Sequence, residues 1–125
     1  MFGRKNRKPT NQESILLVDD DKAQLDIFVA WMGAVRPDAD IQTATSAAEA
    51  AQLLNSNHFS LVISDYSMPH ATAGLEVLEA AQNCGIPLTK FIMLSGTTDN
   101  LPDEVRLVSK GDLPALEAAI EQALK

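Results

Sequence analysis

Four apolar runs of strand length alternate with segments of helical period, and this alternation limits what the chain can fold into. Residues 14–18 close on Asp19-Asp20-Asp21, and residues 59–64 close on Asp65. Residues 90–94 close on Ser95-Gly96-Thr97, and residues 105–109 close on Lys110. A weaker fifth run spans 40–44. Strands that alternate with helices build a parallel sheet covered on both faces. In an open sheet of this kind the carboxyl ends of the strands share one edge, where ligands bind. Clustered carboxylates, a hydroxyl and an ammonium are therefore expected to converge. Together they can hold a divalent cation and a phosphoryl group.

The intervening segments set the helices. Leu25, Phe28, Val29 and Met32 fall at i, i+3, i+4 and i+7, one apolar stripe of a helix that stops near Val35 ahead of Pro37. Ser46 and Glu49 form a capping box before an Ala-rich helix carrying Leu53 and Leu54. Leu75, Val77 and Leu78 mark a third helix, ended by Gly85 and Pro87. The stretch from Ser95 to Pro102 is polar and leaves room for little more than one helical turn near Asp103. Asp112 is placed to cap a final helix with Pro114 in its first turn, presenting Leu116, Ile120, Ala123 and Leu124 to the sheet. The total is five strands and four or five helices.

A chain of 125 residues, 46% apolar and 22% charged, suffices for one packed domain. The expected boundary puts a basic arm at 1–12 and one domain at 13–125. Four of the ten basic residues (Arg4, Lys5, Arg7 and Lys8) lie in the arm, leaving six against 17 acids, a net of −11. A body that acidic repels nucleic acid. The arm is expected to be a solubilising end, with an acidic partner or a membrane surface as its other possible contacts. The lone Cys84 cannot staple the chain, and is expected to be a small buried hydrophobe. No secretory signal and no membrane-length apolar stretch is present, so a cytoplasmic protein without membrane insertion is expected.

Each strand end has two readings. Asp19 and Asp20 can either open the following helix, as Asp21 is expected to do, or serve a cation. Adjacent carboxylates repel unless a cation offsets them, and Mg²⁺ favours hard oxygen ligands. Asp65 can open a turn before Met68-Pro69, or stand as a nucleophile toward phosphorus beside a metal. Ser95 and Lys110 belong to Ser-Gly and Lys-Gly turns that are ordinary loop chemistry taken singly. In combination the four ends are complementary.

Residues 15–21, Ile-Leu-Leu-Val-Asp-Asp-Asp, resemble the opening strand and acidic pair of the receiver domains of two-component response regulators. Residues 61–69, Leu-Val-Ile-Ser-Asp-Tyr-Ser-Met-Pro, resemble that family's phospho-acceptor motif. Residues 91–96 and 108–110 are similar to its hydroxyl and lysine strands. The resemblance covers about residues 13 to 125. It implies a flavodoxin-like, doubly wound α/β fold with five parallel strands in the order 2-1-3-4-5, the family of the chemotaxis receiver that serves as a standard example of this order. It implies that Asp65 accepts a phosphoryl group from a phosphohistidine, with Mg²⁺ as cofactor held by Asp19, Asp20, Asp65 and the backbone carbonyl of Ser67. Ser95, Gly96, Lys110 and Tyr66 would bind the phosphoryl group, and Ser67 and Thr97 occupy the positions that tune its lifetime. The implied partners are a sensor histidine kinase or histidine phosphotransfer protein and a downstream protein target.

The chain departs from the family pattern in three places. The loop His70-Ala71-Thr72-Ala73-Gly74 lacks the customary second Met-Asp. The span from Ser95 to Lys110 is short, so the family's fourth helix is expected to be shortened or missing. Leu107 replaces a common aromatic, and Gly111 rather than Pro follows Lys110. The implied role is a single-domain response regulator that signals through protein contacts, not a turnover enzyme, with a phosphate shuttle or sink as the alternative. A haloacid-dehalogenase-type phosphatase would need a second Asp two positions after the nucleophile, where Ser67 stands. A nucleotide site lacks a glycine-rich phosphate loop.

Overall fold

The computed structural model describes residues 13–66, 73–95 and 101–125. In chain order its elements are β1 (Ser14–Val18), α1 (Lys22–Val35), β2 (Asp40–Ala44), α2 (Ala47–Ser56), β3 (Leu61–Asp65), α3 (Ala73–Asn83), β4 (Phe91–Leu94), β5 (Arg106–Val108) and α4 (Leu113–Ala123). A 3-10 turn, Leu88–Lys90, leads into β4. The strands form one five-stranded sheet in the order β2-β1-β3-β4-β5, and every pairing is parallel. The doubly wound, flavodoxin-like topology expected from the sequence is present. Between β4 and β5 the described residues contain no helix; residues 101–105 pass through a turn, with the Val105 N–H donating to the Pro102 carbonyl.

Alternation along the strands sends successive side chains to opposite faces. Ile15, Leu17, Leu61, Ile63, Ile92, Leu94 and Val108 pack with Leu25 and Met32 of α1 and Leu116, Ile120 and Ala123 of α4. Leu16, Val18, Val62, Phe91 and Met93 pack on the other face against α2 and α3. The central strands β1, β3 and β4 are buried on both faces apart from Ser14, which is why their sequences are continuous apolar runs.

The helix ends follow side-chain chemistry. Asp21 caps α1, its Oδ1 accepting from the Ala23 and Gln24 N–H groups at 3.0 and 3.3 Å. Ser46 Oγ caps α2 through the Glu49 N–H, but Glu49 Oε1 reaches back one residue further than a capping box requires, to the N–H and hydroxyl of Thr45. Asp112 caps α4 through the Ala115 N–H. Removing such a cap costs about 1 kcal/mol.

Two side chains differ from expectation. Val29 is 38% exposed, because α1 rests on the sheet along a narrow stripe of Leu25, Phe28 and Met32 that leaves its flank in solvent. Cys84 is exposed rather than buried. It lies one residue past the end of α3, off the helix's apolar face, and its thiol donates to Asn55 Oδ1 at 3.2 Å. Among the described residues no helix is long and apolar enough to cross a membrane.

Candidate functional site

The register of the sheet brings the strand-end residues together. Val18 pairs with Ser64, so Asp19 and Asp65, each one residue further on, lie side by side. Asp65 pairs with Leu94, and Leu94 with Val108, which carries the same row across to the strand that ends before Lys110. Parity puts Asp19 and Asp65 on the face shared by Ile15, Leu17, Leu61 and Ile63. Ser64 takes the opposite face and is fully buried, its hydroxyl donating to the Asp65 carbonyl at 2.9 Å.

Asp19, Asp20 and Asp65 each offer a carboxylate oxygen within 4.8 Å of the others. Asp19 is 2% and Asp65 4% exposed, whereas Asp20 faces solvent. Asp19 Oδ1 accepts the Asp21 N–H at 3.0 Å, while Asp19 Oδ2 is buried with no hydrogen-bond partner among the described residues. Lys110 Nζ donates to Asp65 Oδ2 at 2.8 Å. Among the described residues, two buried carboxylates and one exposed carboxylate thus face a single ammonium.

The electrostatics follow from that imbalance. Burial pushes the Asp19 carboxyl above its ordinary range, opposed by the hydrogen bond from Asp21 and reinforced by the neighbouring Asp65 charge. The hydrogen bond to Asp65 holds the Lys110 ammonium above the usual lysine range, with burial opposing it. An orphaned oxygen beside two further carboxylates suits a hard divalent cation, since such ions take oxygen ligands and offset like charges.

Ser95 lies at the end of β4, one residue past Asp65's partner Leu94; it is nearly buried, and its N–H donates to the Val108 carbonyl at 3.1 Å. The Tyr66 N–H donates to the Leu94 carbonyl at 2.9 Å, and its half-buried side chain packs on the α2/α3 side. The structure therefore brings Asp19, Asp20, Asp65 and Lys110 into one cluster, with Ser95 and Tyr66 on the same edge. Ser67, Gly96 and Thr97, named from the sequence, and the loop residue His70 lie outside the described residues.

Gly74 was not singled out from the sequence. A Cβ there would lie 2.6 Å from Tyr66 Cα and 2.7 Å from the Asp65 carbonyl oxygen, inside any real contact distance. The Gly74 N–H donates to the Tyr66 carbonyl at 2.8 Å. Only glycine lets the start of α3 sit this close to the backbone that carries Asp65. A glycine at the start of an apolar-periodic helix was the available signal, but it does not say which backbone approaches.

The comparisons with known proteins bear on the fold and the family. No relative among curated proteins matches the chain. Among solved structures, an adenylate cyclase from Rhodopirellula baltica is 26% identical, with 90% of each chain covered and a TM-score of 0.66. A response regulator receiver domain protein from Clostridium thermocellum is 22% identical over 90% of this chain and 94% of its own, TM-score 0.74. A response regulator protein from Thermotoga maritima, solved in complex with Mg²⁺–BeF, is 24% identical over 90% of this chain and 99% of its own, TM-score 0.74. The last two likenesses establish the fold. The family model for the response regulator receiver domain matches residues 15–117, which takes in β1 through the first turn of α4 and the whole acidic cluster. The chain therefore belongs to the response regulator receiver domains, phospho-accepting signalling domains rather than turnover enzymes.

Proposed function

We propose that this receiver takes a phosphoryl group from a phosphohistidine onto Asp65 in a Mg²⁺-dependent reaction, and signals through altered protein contacts. The supporting observation is the constellation at the sheet edge: a buried Asp65 carboxylate 2.8 Å from Lys110, within 4.8 Å of Asp19 and Asp20, beside the unpartnered Asp19 Oδ2. In the transfer a carboxylate oxygen of Asp65 bonds to phosphorus while the phosphorus–nitrogen bond breaks. The imidazole leaves with the bonding electron pair. Asp19, Asp20 and Asp65 would hold the cation, joined by the Ser67 carbonyl. When bound, the cation supplies positive charge to offset the growing charge on the phosphoryl oxygens.

Lys110 has a second part of that task. Its ammonium already engages Asp65, and after transfer it pairs with a phosphoryl oxygen. Ser95, Gly96 and Tyr66 would complete the phosphoryl contacts, Ser95 by its hydroxyl. The donor would be a sensor histidine kinase or a histidine phosphotransfer protein, the recipient of the signal a downstream protein, and the compartment the cytoplasm. In this reading residues 13–125 are the signalling unit and residues 1–12 a basic arm.

Mass spectrometry after incubation with phosphoramidate and Mg²⁺ tests the chemistry. The wild type should gain one phosphoryl group, and Asp65→Asn or wild type with a chelator should gain none. An adduct that persists on Asp65→Asn would move the acceptor elsewhere and overturn the assignment.

A further inference from the structure

The lysine that engages Asp65 is held by a turn with almost no slack. Ser109, Lys110, Gly111 and Asp112 form a four-residue turn closed by the Asp112 N–H donating to the Ser109 carbonyl at 3.1 Å. Gly111 is the third residue, with φ +90. That is the position where a type II turn demands a left-handed residue, and hence glycine. Both ends of the turn are fixed. On one side the Val108 carbonyl accepts the Ser95 N–H, tying β5 to the end of β4. On the other, Asp112 is already the N-cap of α4: its Oδ1 accepts the Ala115 N–H and its carbonyl the Leu116 N–H. Leu116, Ile120 and Ala123 anchor that helix in the core.

Lys110 is therefore presented from the second position of a clamped turn whose shape depends on one left-handed residue. Space does not set the identity of residue 111, since a Cβ built there meets nothing within 4 Å. Backbone conformation does. Proline, which follows the lysine in many receivers, cannot adopt a positive φ.

We infer that Gly111 is a positioning residue for phosphoryl transfer: its left-handed conformation sets the reach of Lys110 to Asp65. This rests on the reading of Lys110 as a phosphoryl-pairing residue.

The molecule supplies its own control. Gly85, just past α3, has φ +88 and likewise nothing within 4 Å of a built Cβ, but it has no connection to Lys110. Gly111→Ala and Gly85→Ala impose the same kind of backbone strain, so both should lower the melting temperature by similar amounts. Only Gly111→Ala should slow phosphorylation by phosphoramidate at saturating Mg²⁺, by about 10- to 100-fold, the scale of a misplaced catalytic group. Its Mg²⁺ affinity should not fall, because the carboxylates are untouched and an ammonium set further from Asp65 competes less with the cation. Gly111→Asn should recover most of the rate despite its larger side chain, since Asn tolerates the left-handed region.

Equal phosphorylation rates in the two Ala variants would overturn the inference, as would a Gly111→Asn protein no faster than Gly111→Ala. Lys110→Gln is measured alongside. If it phosphorylates as fast as the wild type, the reading of Lys110 itself fails. If it is slow while Gly111→Ala is not, the positioning role of Gly111 alone is wrong.

Discussion

Charges at the two edges of the sheet are treated in opposite ways. At the amino-terminal edge two cations are engaged, although the buried Nε of Arg106 at the start of β5 has no partner among the described residues. The half-buried Arg36 guanidinium donates through Nε to Glu13 Oε1 at 3.0 Å and through Nη2 to Glu13 Oε2, a two-pronged pair that ties the end of α1 to the start of β1. Lys90, entering β4, donates to the Ala123 carbonyl in the last turn of α4. At the carboxyl-terminal edge the arithmetic does not close. Asp19, Asp20 and Asp65 face Lys110, and a buried Asp19 oxygen lacks a partner among the described residues. Breaking one partner of a buried pair is costly, and leaving an acid unpaired in the folded state carries the same kind of cost continuously. One edge pairs Arg36 and Lys90 with oxygen acceptors, and the other carries a surplus of carboxylates that a bound cation and a phosphoryl group can use.

The largest effect expected from this contrast is on chemistry. Asp65→Asn should abolish phosphoryl uptake in the mass measurement, while Arg36→Met should leave it unchanged at a temperature where both proteins are folded. Next comes the response to metal. At Mg²⁺ of about 100 times its dissociation constant the protein should gain about 2.7 kcal/mol, read from urea unfolding with and without chelator. Asp19→Asn should lose most of that gain.

A smaller effect separates the two edges without metal. Arg36→Met should cost about 1–2 kcal/mol, because it strips the partner from a half-buried carboxylate. Asp19→Asn should instead stabilise the metal-free protein by about 1 kcal/mol at neutral pH, by removing a buried charge. A destabilised Asp19→Asn protein in chelator would contradict the picture of a strained edge.

The smallest effect is the pH dependence of that last difference. The Asp19 carboxyl is held above its usual 3.8 in the folded state, so the folded protein binds this proton more tightly than the unfolded chain. Its ionisation therefore costs nothing below 3.8, and the cost grows as pH rises from 3.8 through the raised folded value. The stability of Asp19→Asn relative to wild type should climb across that window and then level off. Lys110 behaves oppositely at the alkaline end. Its folded value lies above 10.5, so its contribution is complete below 10.5 and is lost as pH rises beyond that toward the folded value.

Much of this was legible residue by residue. The apolar runs before Asp19, Asp65 and Ser95 were recognisable because a strand buried on both faces must be continuously apolar, whereas the edge strand before Lys110 is only partly buried and carries Arg106. The Asp21, Ser46 and Asp112 caps were recognisable because capping is settled within three or four residues. Cys84 was misjudged because helical periodicity says nothing about a residue one step past the helix end. Val29 was misjudged because a stripe read on a wheel carries no information on how wide the sheet beneath it is.

The chain itself determined that acids, a hydroxyl and a lysine stand at the ends of strands, and that these strands alternate with helices. Only the tertiary structure decided that Val18 pairs with Ser64, and so that Asp19 lies beside Asp65 on one face with an oxygen left unpartnered. It also decided that Gly111 is left-handed and that Lys110 lies 2.8 Å from Asp65. Strand and cap identity are local properties of a few neighbouring residues. Register and reach are fixed by packing between segments far apart in sequence, where shifting a strand by one residue would turn the whole constellation to the other face.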